Sequence, residues 1–171
     1  MQIRISEKSW KKLSDIHFYF DMDGTANEWD LNGDPHMPHY FRNRPLIKST
    51  IESMLILQRL GYNVAFATSV YQTDEAMLDK RLWANDVGCE NIPIIYIPYG
   101  QNKDEYLTGK VRILIDDHTP NLNKFSGVGV KFINQINHTG GKWQGPSVSY
   151  KETGTEIASK LLTIAINSAM E

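Results

Sequence analysis

Five short segments of this chain are almost continuously apolar instead of alternating between apolar and polar residues. They span residues 16–20, 63–67, 94–97, 111–115 and 130–133. A strand that is covered on both faces in a parallel sheet has this pattern, because neither of its faces meets water. The segments therefore predict five buried strands of a mainly parallel sheet.

Apolar residues at helical spacing separate most of these segments and also follow the last one. The predicted helices run from just after Pro45 to just before Gly61, from 74 to 87, and from 155 to 170. A glycine directly after the periodic residues, as at Gly61 and Gly88, is typical of a helix end. The order β-α-β-α-β-β-β-α predicts one α/β domain over residues 1–171. We expect a Rossmann-like three-layer sandwich that binds its ligands at the carboxyl ends of the strands.

Length, composition and charge narrow the class of protein. The 171 residues suffice for one well-packed domain, and 41% hydrophobic with 22% charged residues is typical of a soluble globular protein. The net charge of −2, without a basic cluster, argues against nucleic acid as the main partner. Cys89 is the only cysteine, residues 1–13 lack the apolar core of a signal peptide, and no apolar run is long enough to span a bilayer. We therefore expect a cytoplasmic protein without a membrane partner, either monomeric or homo-oligomeric.

Polar residues that can take part in catalysis follow the predicted strands at their carboxyl ends. They are Asp21 and Asp23 after the first strand, Thr68 and Ser69 after the second, Lys103 between the third and fourth, and Asp116 and Asp117 after the fourth. These ends meet at one edge of a parallel sheet. Residues that are far apart in the chain are therefore expected to form one site.

The carboxylates of this group suit phosphoryl transfer with a divalent cation. An aspartate can attack phosphorus and form an aspartyl-phosphate that water later hydrolyses, and we assign this role to Asp21. Because the attacking carboxylate and the phosphate repel each other, a cation is needed, and Mg²⁺ prefers hard oxygen ligands. Asp21 and Asp117 are the predicted ligands, with Asp116 as a further ligand or as a supporting group.

The remaining polar residues have predicted roles around the phosphate. Asp23, two residues beyond the nucleophile, can protonate the leaving oxygen and then activate water. The hydroxyls of Thr68 and Ser69 can donate to phosphoryl oxygens, and Lys103 can neutralise their charge. Gly24 allows the chain to leave the strand sharply beside the phosphate.

These segments resemble the four motifs of the haloacid dehalogenase superfamily. The family's hydrophobic strand ending in Asp-x-Asp-x-Thr corresponds to FYFDMDGT at 18–25, and its strand ending in Thr or Ser corresponds to VAFATS at 64–69. Its acidic pair corresponds to ILIDD at 113–117, and its lysine to Lys103, with Lys110 as the alternative. The four motifs occur in the family's order. The resemblance implies a Mg²⁺-dependent phosphatase with a Rossmann-like fold.

Within that superfamily the chain is most similar to the 5'(3')-deoxyribonucleotidases and their bacterial relatives. The segments FRNRP at 41–45 and KRLW at 80–83 are similar to segments of that group. The resemblance implies that Asp21 is the nucleophile, that Asp23 is the acid and base, and that the substrate is a deoxyribonucleoside monophosphate. It also implies that Asp21, Asp117 and the backbone carbonyl of Asp23 hold Mg²⁺.

Residues 26–44 show neither helical nor strand periodicity and directly follow the first motif. A loop of this length in a compact domain is often functional, and we interpret it as an active-site flap. It takes the place of the larger helical cap of the nucleotidase group. A site with so small a cap also admits nucleic-acid ends, phosphoproteins or other small phosphates as substrates.

A different class of protein combines similar residues. Receiver-type signalling domains also place an acidic pair, a phosphorylated Asp, a Thr or Ser and a Lys around Mg²⁺. In a receiver, however, the acidic pair follows the first strand, whereas here it follows the fourth. A receiver also lacks an equivalent of Asp23. A catalytically silent phosphate- or nucleotide-binding protein is the third alternative.

Overall fold

A sheet of six parallel strands forms the centre of the protein, as seen in a computed structural model that describes residues 15–71, 73–137 and 142–170. The strands are β1 (Ile16–Phe20), β2 (Asn63–Val70), β3 (Ile94–Pro98), β4 (Val111–Asp116), β5 (Val128–Ile133) and β6 (Ser147–Ser149). Their order across the sheet is β3-β2-β1-β4-β5-β6, and each neighbouring pair is parallel. This order is that of a Rossmann-like sheet, so the α/β prediction is confirmed at this level. The prediction for residues 1–13 lies outside the described residues.

Helices pack against both faces of this sheet. Within the described residues they are α1 (Lys48–Arg59), α2 (Asp74–Asp86), α3 (Thr119–Lys124) and α4 (Gly154–Met170), together with a 3₁₀ turn at Lys103–Glu105. The Thr73 side chain caps α2 by accepting a hydrogen bond from the Ala76 N–H at 3.2 Å. Gly61 and Gly88, just beyond α1 and α2, have φ angles of 88° and 82°, as expected after a helix end. None of these helices is both long and apolar enough to cross a membrane.

The prediction of five strands is wrong by one, because β6 adds a strand beside β5. β6 has three residues, of which only Val148 is buried, so it lacks the continuous apolar run on which the prediction depends. The short helix α3 shows no helical periodicity for a similar reason, since Leu122 is its single buried residue. β2 continues to Val70, so Thr68 and Ser69 lie inside the strand and not beyond its end.

Alternate side chains of the strands pack on opposite faces of the sheet. On one face, Phe18 and Phe20 belong to a large core with apolar residues of α1, α2 and α4. On the other face, Tyr19 and Leu114 belong to a smaller core with Leu122 of α3. β1 is therefore buried on both faces, which explains its continuous apolar sequence.

Residues 26–44, all of which the structure describes, form turns and two isolated bridges at Asn27 instead of a helix or strand. A third small core attaches this flap to the rest of the protein, where Tyr40 and Phe41 are buried with Val70 and Ala76. Val70 ends β2, and Ala76 lies in the first turn of α2. The flap therefore lies beside the carboxyl end of the sheet.

Candidate metal and phosphate site

The polar residues predicted to form a site come together at the carboxyl ends of β1 and β4. Asp21 directly follows β1, and its N–H donates to the carbonyl of Ile115 in β4 at 2.9 Å. Asp116 is the last residue of β4, and Asp117 follows it. Because β1 and β4 are parallel neighbours, side chains that are distant in the chain become adjacent.

Three carboxylates form a cluster that could hold a metal ion. One oxygen atom each of Asp21, Asp116 and Asp117 lies within 4.8 Å of the other two. Asp116 is fully buried, and Asp21 is 8% exposed. Close carboxylates in a buried position repel each other unless positive charge compensates them. Three hard oxygen donors at this spacing fit a divalent cation such as Mg²⁺.

Lys103 supplies part of the compensating charge. Its Nζ lies 2.7 Å from Asp21 Oδ1 and 2.7 Å from Asp116 Oδ2, and it donates to the carbonyl of Ala67 at 2.8 Å. These contacts engage all three N–H donors of the buried ammonium group. Lys110, the alternative lysine, is exposed and precedes β4 at its amino end. Of the two lysines, Lys103 is the one that the fold places in the site.

The electrostatics of the cluster favour a bound cation. Burial raises the pKa of Asp21 to about 7 against the opposing charge of Lys103, and the Asp116 and Asp23 carboxylates contribute to this shift. Burial also raises the pKa of Asp117 well above its usual value, and the charges of Asp116 and Asp21 add to this shift. Burial alone would lower the pKa of Lys103, but Asp116 and Asp21 hold it above the usual value. A metal ion at this site would therefore compete with protons for the carboxylates.

Asp116 is hydrogen-bonded through both carboxylate oxygens. Oδ1 accepts from the N–H of His118 at 2.7 Å, and Oδ2 accepts from Asn121 Nδ2 at 2.9 Å as well as from Lys103. These donors occupy most of the lone pairs that a metal ion would need. Asp116 is therefore better suited to hold Lys103 than to bind a metal directly, which leaves Asp21 and Asp117 as the better placed ligands.

Asp117 is held by two other loops. Asn134 Nδ2, just after β5, donates to Asp117 Oδ2 at 3.1 Å and to the carbonyl of Gly24 at 2.7 Å. The Asp117 N–H donates to Thr25 Oγ1 at 3.1 Å. Gly24 has a φ angle of +82°, and a Cβ at this position would lie 2.7 Å from Asp117 Cγ. Only glycine both adopts this conformation readily and leaves room for the carboxylate.

The carboxylate of Asp23, the predicted acid and base, is held by two donors. Lys80 Nζ forms an ion pair with Oδ2, and Asn27 Nδ2 donates to Oδ1 at 3.3 Å. Lys80 also donates to Thr68 Oγ1 at 3.0 Å. Lys80 and Thr68 are both fully buried, whereas Ser69 lines an open cleft. Thr68 is therefore linked to the site indirectly, because its hydroxyl contacts Lys80 and Lys80 contacts the carboxylate of Asp23.

Lys80, Lys131 and Asn134 also contribute to this site, although no role was predicted for them from the sequence. Lys80 lies on the buried face of α2 with Trp83, so a lysine at the spacing of an apolar stripe was a usable signal. Lys131 is a lysine inside the apolar strand β5, and its Nζ donates to the backbone carbonyl of Asp117. Asn134 follows β5 as Asp117 follows β4, but an asparagine at that position is equally common in a turn.

A cleft of about 530 Å³ opens beside these groups. Its lining includes the carboxylates of Asp21, Asp23 and Asp117 and the aromatic side chains of Trp29, Phe41, Tyr71 and Tyr99. The rings of Tyr71 and Tyr99 are 4.8 Å apart at their centroids. The cleft has the volume of a typical small-molecule site, and it combines acidic groups with apolar walls.

Comparisons with known proteins find neither a family model nor a curated protein that matches this chain. The class of the protein therefore follows from its fold and its site alone. It is an α/β protein with a parallel sheet, and three carboxylates at the strand ends could hold a metal ion beside a buried lysine.

Proposed function

We propose that the protein is a Mg²⁺-dependent phosphomonoester hydrolase of the haloacid dehalogenase superfamily, acting through an aspartyl-phosphate on Asp21. The observation that carries the proposal is the cluster of Asp21, Asp116 and Asp117 around Lys103. The cluster combines a nucleophile, oxygen ligands for a divalent cation and a fixed positive charge. Asp23 lines the same cleft and adds a group that can transfer protons.

The proposed reaction has two steps that share one acid and base. A carboxylate oxygen of Asp21 attacks phosphorus, and the bond from phosphorus to the leaving oxygen breaks while Asp23 gives that oxygen its proton. A water molecule then attacks phosphorus and gives a proton to Asp23. The bond from phosphorus to Asp21 breaks, so inorganic phosphate leaves and both aspartates return to their initial states.

The other residues of the site stabilise charge and hold these groups in place. Asp21 and Asp117, with the backbone carbonyl of Asp23, would hold Mg²⁺, which when bound supplies charge that offsets the repulsion between Asp21 and the phosphate. Lys103 keeps Asp21 in position and adds a positive charge beside it. Ser69 lines the cleft, and its hydroxyl would donate to a phosphoryl oxygen.

A small nucleotide, such as a deoxyribonucleoside monophosphate, is the substrate that we favour. The volume of the cleft suits a ligand of this size, and planar bases stack on aromatic rings such as those of Tyr71 and Tyr99. The small flap at 26–44 also leaves room for bulkier substrates. Nucleic-acid ends, phosphoproteins and other small phosphates are therefore the alternatives to be compared.

A receiver-type signalling domain is the alternative of another class. Receivers have the strand order 2-1-3-4-5, whereas the order here is β3-β2-β1-β4-β5-β6. The acidic pair 116–117 also follows the fourth strand here and not the first. Both differences favour a hydrolase over a receiver. A silent phosphate-binding protein would keep the cluster but would release no phosphate.

Phosphate release tests the proposed function. The wild-type protein is expected to hydrolyse an aryl phosphate with Mg²⁺ and to lose this activity when the metal is chelated. Asp21→Asn should lower turnover at least about a thousandfold, since it removes the nucleophile. Asp86→Asn changes an exposed aspartate at the end of α2 and should keep wild-type turnover. Turnover retained by Asp21→Asn would refute the mechanism. A panel of nucleotides, sugar phosphates and phosphopeptides then identifies the substrate class.

A further inference from the structure

Lys80 is a fully buried lysine whose charge, among the residues that the structure describes, is matched by one carboxylate. Its Nζ forms an ion pair with Asp23, donates to Thr68 Oγ1 at 3.0 Å and lies 4.3 Å from the centroid of the Phe41 ring. The Lys80 side chain is 0% exposed, and that of Asp23 is 16% exposed. An ammonium group is rarely buried without a paired charge. Asp23 is therefore the group that makes the burial of Lys80 possible.

The helix that carries Lys80 is anchored by its N-terminal cap, by the core and by the flap. α2 begins at the Thr73 cap, and the core holds it through Trp83, which is 2% exposed and donates from Nε1 to the carbonyl of Arg44 at 2.8 Å. Lys80 lies one turn before Trp83 on the same buried face. The packing of α2 therefore brings a fixed donor to Asp23, which lies in the loop after β1.

We propose that Lys80 is a positioning residue for the acid and base carboxyl of Asp23, an inference that rests on the proposed phosphatase function. An ammonium group has only donors, so Asp23 Oδ2 must accept from Lys80. The proton that Asp23 passes to a leaving group is then carried on Oδ1, whose hydrogen bond from Asn27 is long, at 3.3 Å. Lys80 thereby decides which oxygen of Asp23 exchanges protons with the substrate.

Direct contact between Lys80 and the phosphate does not fit this geometry. Lys80 and Thr68 are both 0% exposed and do not line the cleft, whereas Asp23 does. The Phe41 ring covers the ammonium group from the flap. Lys80 therefore acts on the reaction through Asp23, and its removal should impair proton transfer and not phosphate binding.

The leaving-group dependence of Lys80→Met tests this role. Nitrophenyl phosphate needs little proton donation, because its leaving oxygen is stable as an anion, whereas an alkyl phosphate depends on an acid. Lys80→Met should keep kcat/KM for nitrophenyl phosphate within about threefold of wild type and lower kcat/KM for the alkyl phosphate at least about thirtyfold. The inhibition constant of inorganic phosphate should change by less than about twofold. Lys110→Met makes the same change at an exposed lysine and should alter none of these values.

The other outcomes separate the roles that Lys80 could have. Equal losses of kcat/KM on both substrates would indicate a purely structural role and overturn the inference. Weaker inhibition by inorganic phosphate would also overturn it, because Lys80 would then be a phosphate ligand. Lys80→Gln keeps an uncharged donor, so it should show a smaller loss of kcat/KM with the same leaving-group dependence. This variant replaces Lys80→Met if urea unfolding shows that the methionine variant does not fold. A wild-type protein without Mg²⁺-dependent turnover would overturn the proposed function together with this role. If the wild type is active and the Lys80 variants have the same kinetic constants as wild type, only the positioning role is overturned.

Discussion

Replacing Gly24 with alanine should displace Asp117 without changing any proposed metal ligand. Gly24 has a φ angle of +82°, so alanine there adds left-handed backbone strain of about 1–2 kcal/mol. The new Cβ would also lie 2.7 Å from Asp117 Cγ and 2.9 Å from Oδ1. Oδ2 is the nearest of the carboxylate atoms, so the carboxylate must move by more than about 0.7 Å before all of them reach the 3.4 Å at which ordinary contact begins.

That movement should weaken Mg²⁺ binding. The Asp117 carboxylate would lose the geometry of two hydrogen bonds, one that Asn134 Nδ2 donates to Oδ2 at 3.1 Å and one that Thr25 Oγ1 donates to Oδ1 at 3.4 Å. Disturbing the groups that orient a metal ligand lowers affinity by about 10- to 100-fold, so we expect Gly24→Ala to lose at least about tenfold. Calorimetric titration with Mg²⁺ measures the affinity, and urea unfolding measures the stability of the same sample.

Gly88→Ala is the matched control for this variant. Gly88 has the same φ angle of +82°, yet no atom of the described part of the chain lies within 4 Å of a Cβ built there. Both variants should lose about 1–2 kcal/mol of stability from backbone strain. Only Gly24→Ala should also lose Mg²⁺ affinity. Equal affinities in the two variants would refute the reasoning that Gly24 makes room for Asp117.

Two further predictions concern the same cluster. Asn134→Ala removes a donor to Asp117 Oδ2 and to the carbonyl of Gly24, so Mg²⁺ affinity and Mg²⁺-dependent turnover should both fall about tenfold; a calorimetric titration that returns the wild-type affinity would contradict this. The pKa of Asp21 in the metal-free protein is raised to about 7 by burial, so Asp21 is protonated below that pH and is a carboxylate above it. Because Mg²⁺ binds the carboxylate form, its affinity should fall as the pH is lowered from about 8 to about 6. Titrations at both pH values check this, and an affinity that does not change with pH would exclude Asp21 as a ligand.

Much of the fold can be predicted from local patterns in the chain. The continuous apolar runs at 16–20 and 111–115 predict strands covered on both faces, and β1 and β4 lie there. β6 shows the limit of such patterns. Its three residues contain one buried apolar side chain, Val148, so its own sequence does not identify it as a strand. It is a strand because it pairs with β5.

The candidate site also combines residues that could be predicted from the sequence with residues that could not. Asp21, Lys103 and Asp117 could be assigned to one edge of the sheet because the carboxyl ends of parallel strands meet, and the structure brings these residues together. The local signals at Lys80 and Asn134 were weaker. A lysine in a helix most often lies on the solvent-exposed face, and an asparagine after a strand most often forms a turn.

By itself, the sequence determined the order of five strands and three longer helices and the position of Asp21 at a strand end, because hydrophobic periodicity and motif spacing are properties of neighbouring residues. Only the tertiary structure decided which charges are buried together. Lys80 pairs with Asp23 across 57 positions of the chain, and Asn134 supports Asp117 from the loop after β5. The physical reason is that a buried ion needs a partner of opposite charge, and only the segments that pack against it can supply one. That choice depends on the packing of α2 on the sheet and on the pairing of β5 with β4, which no local pattern records.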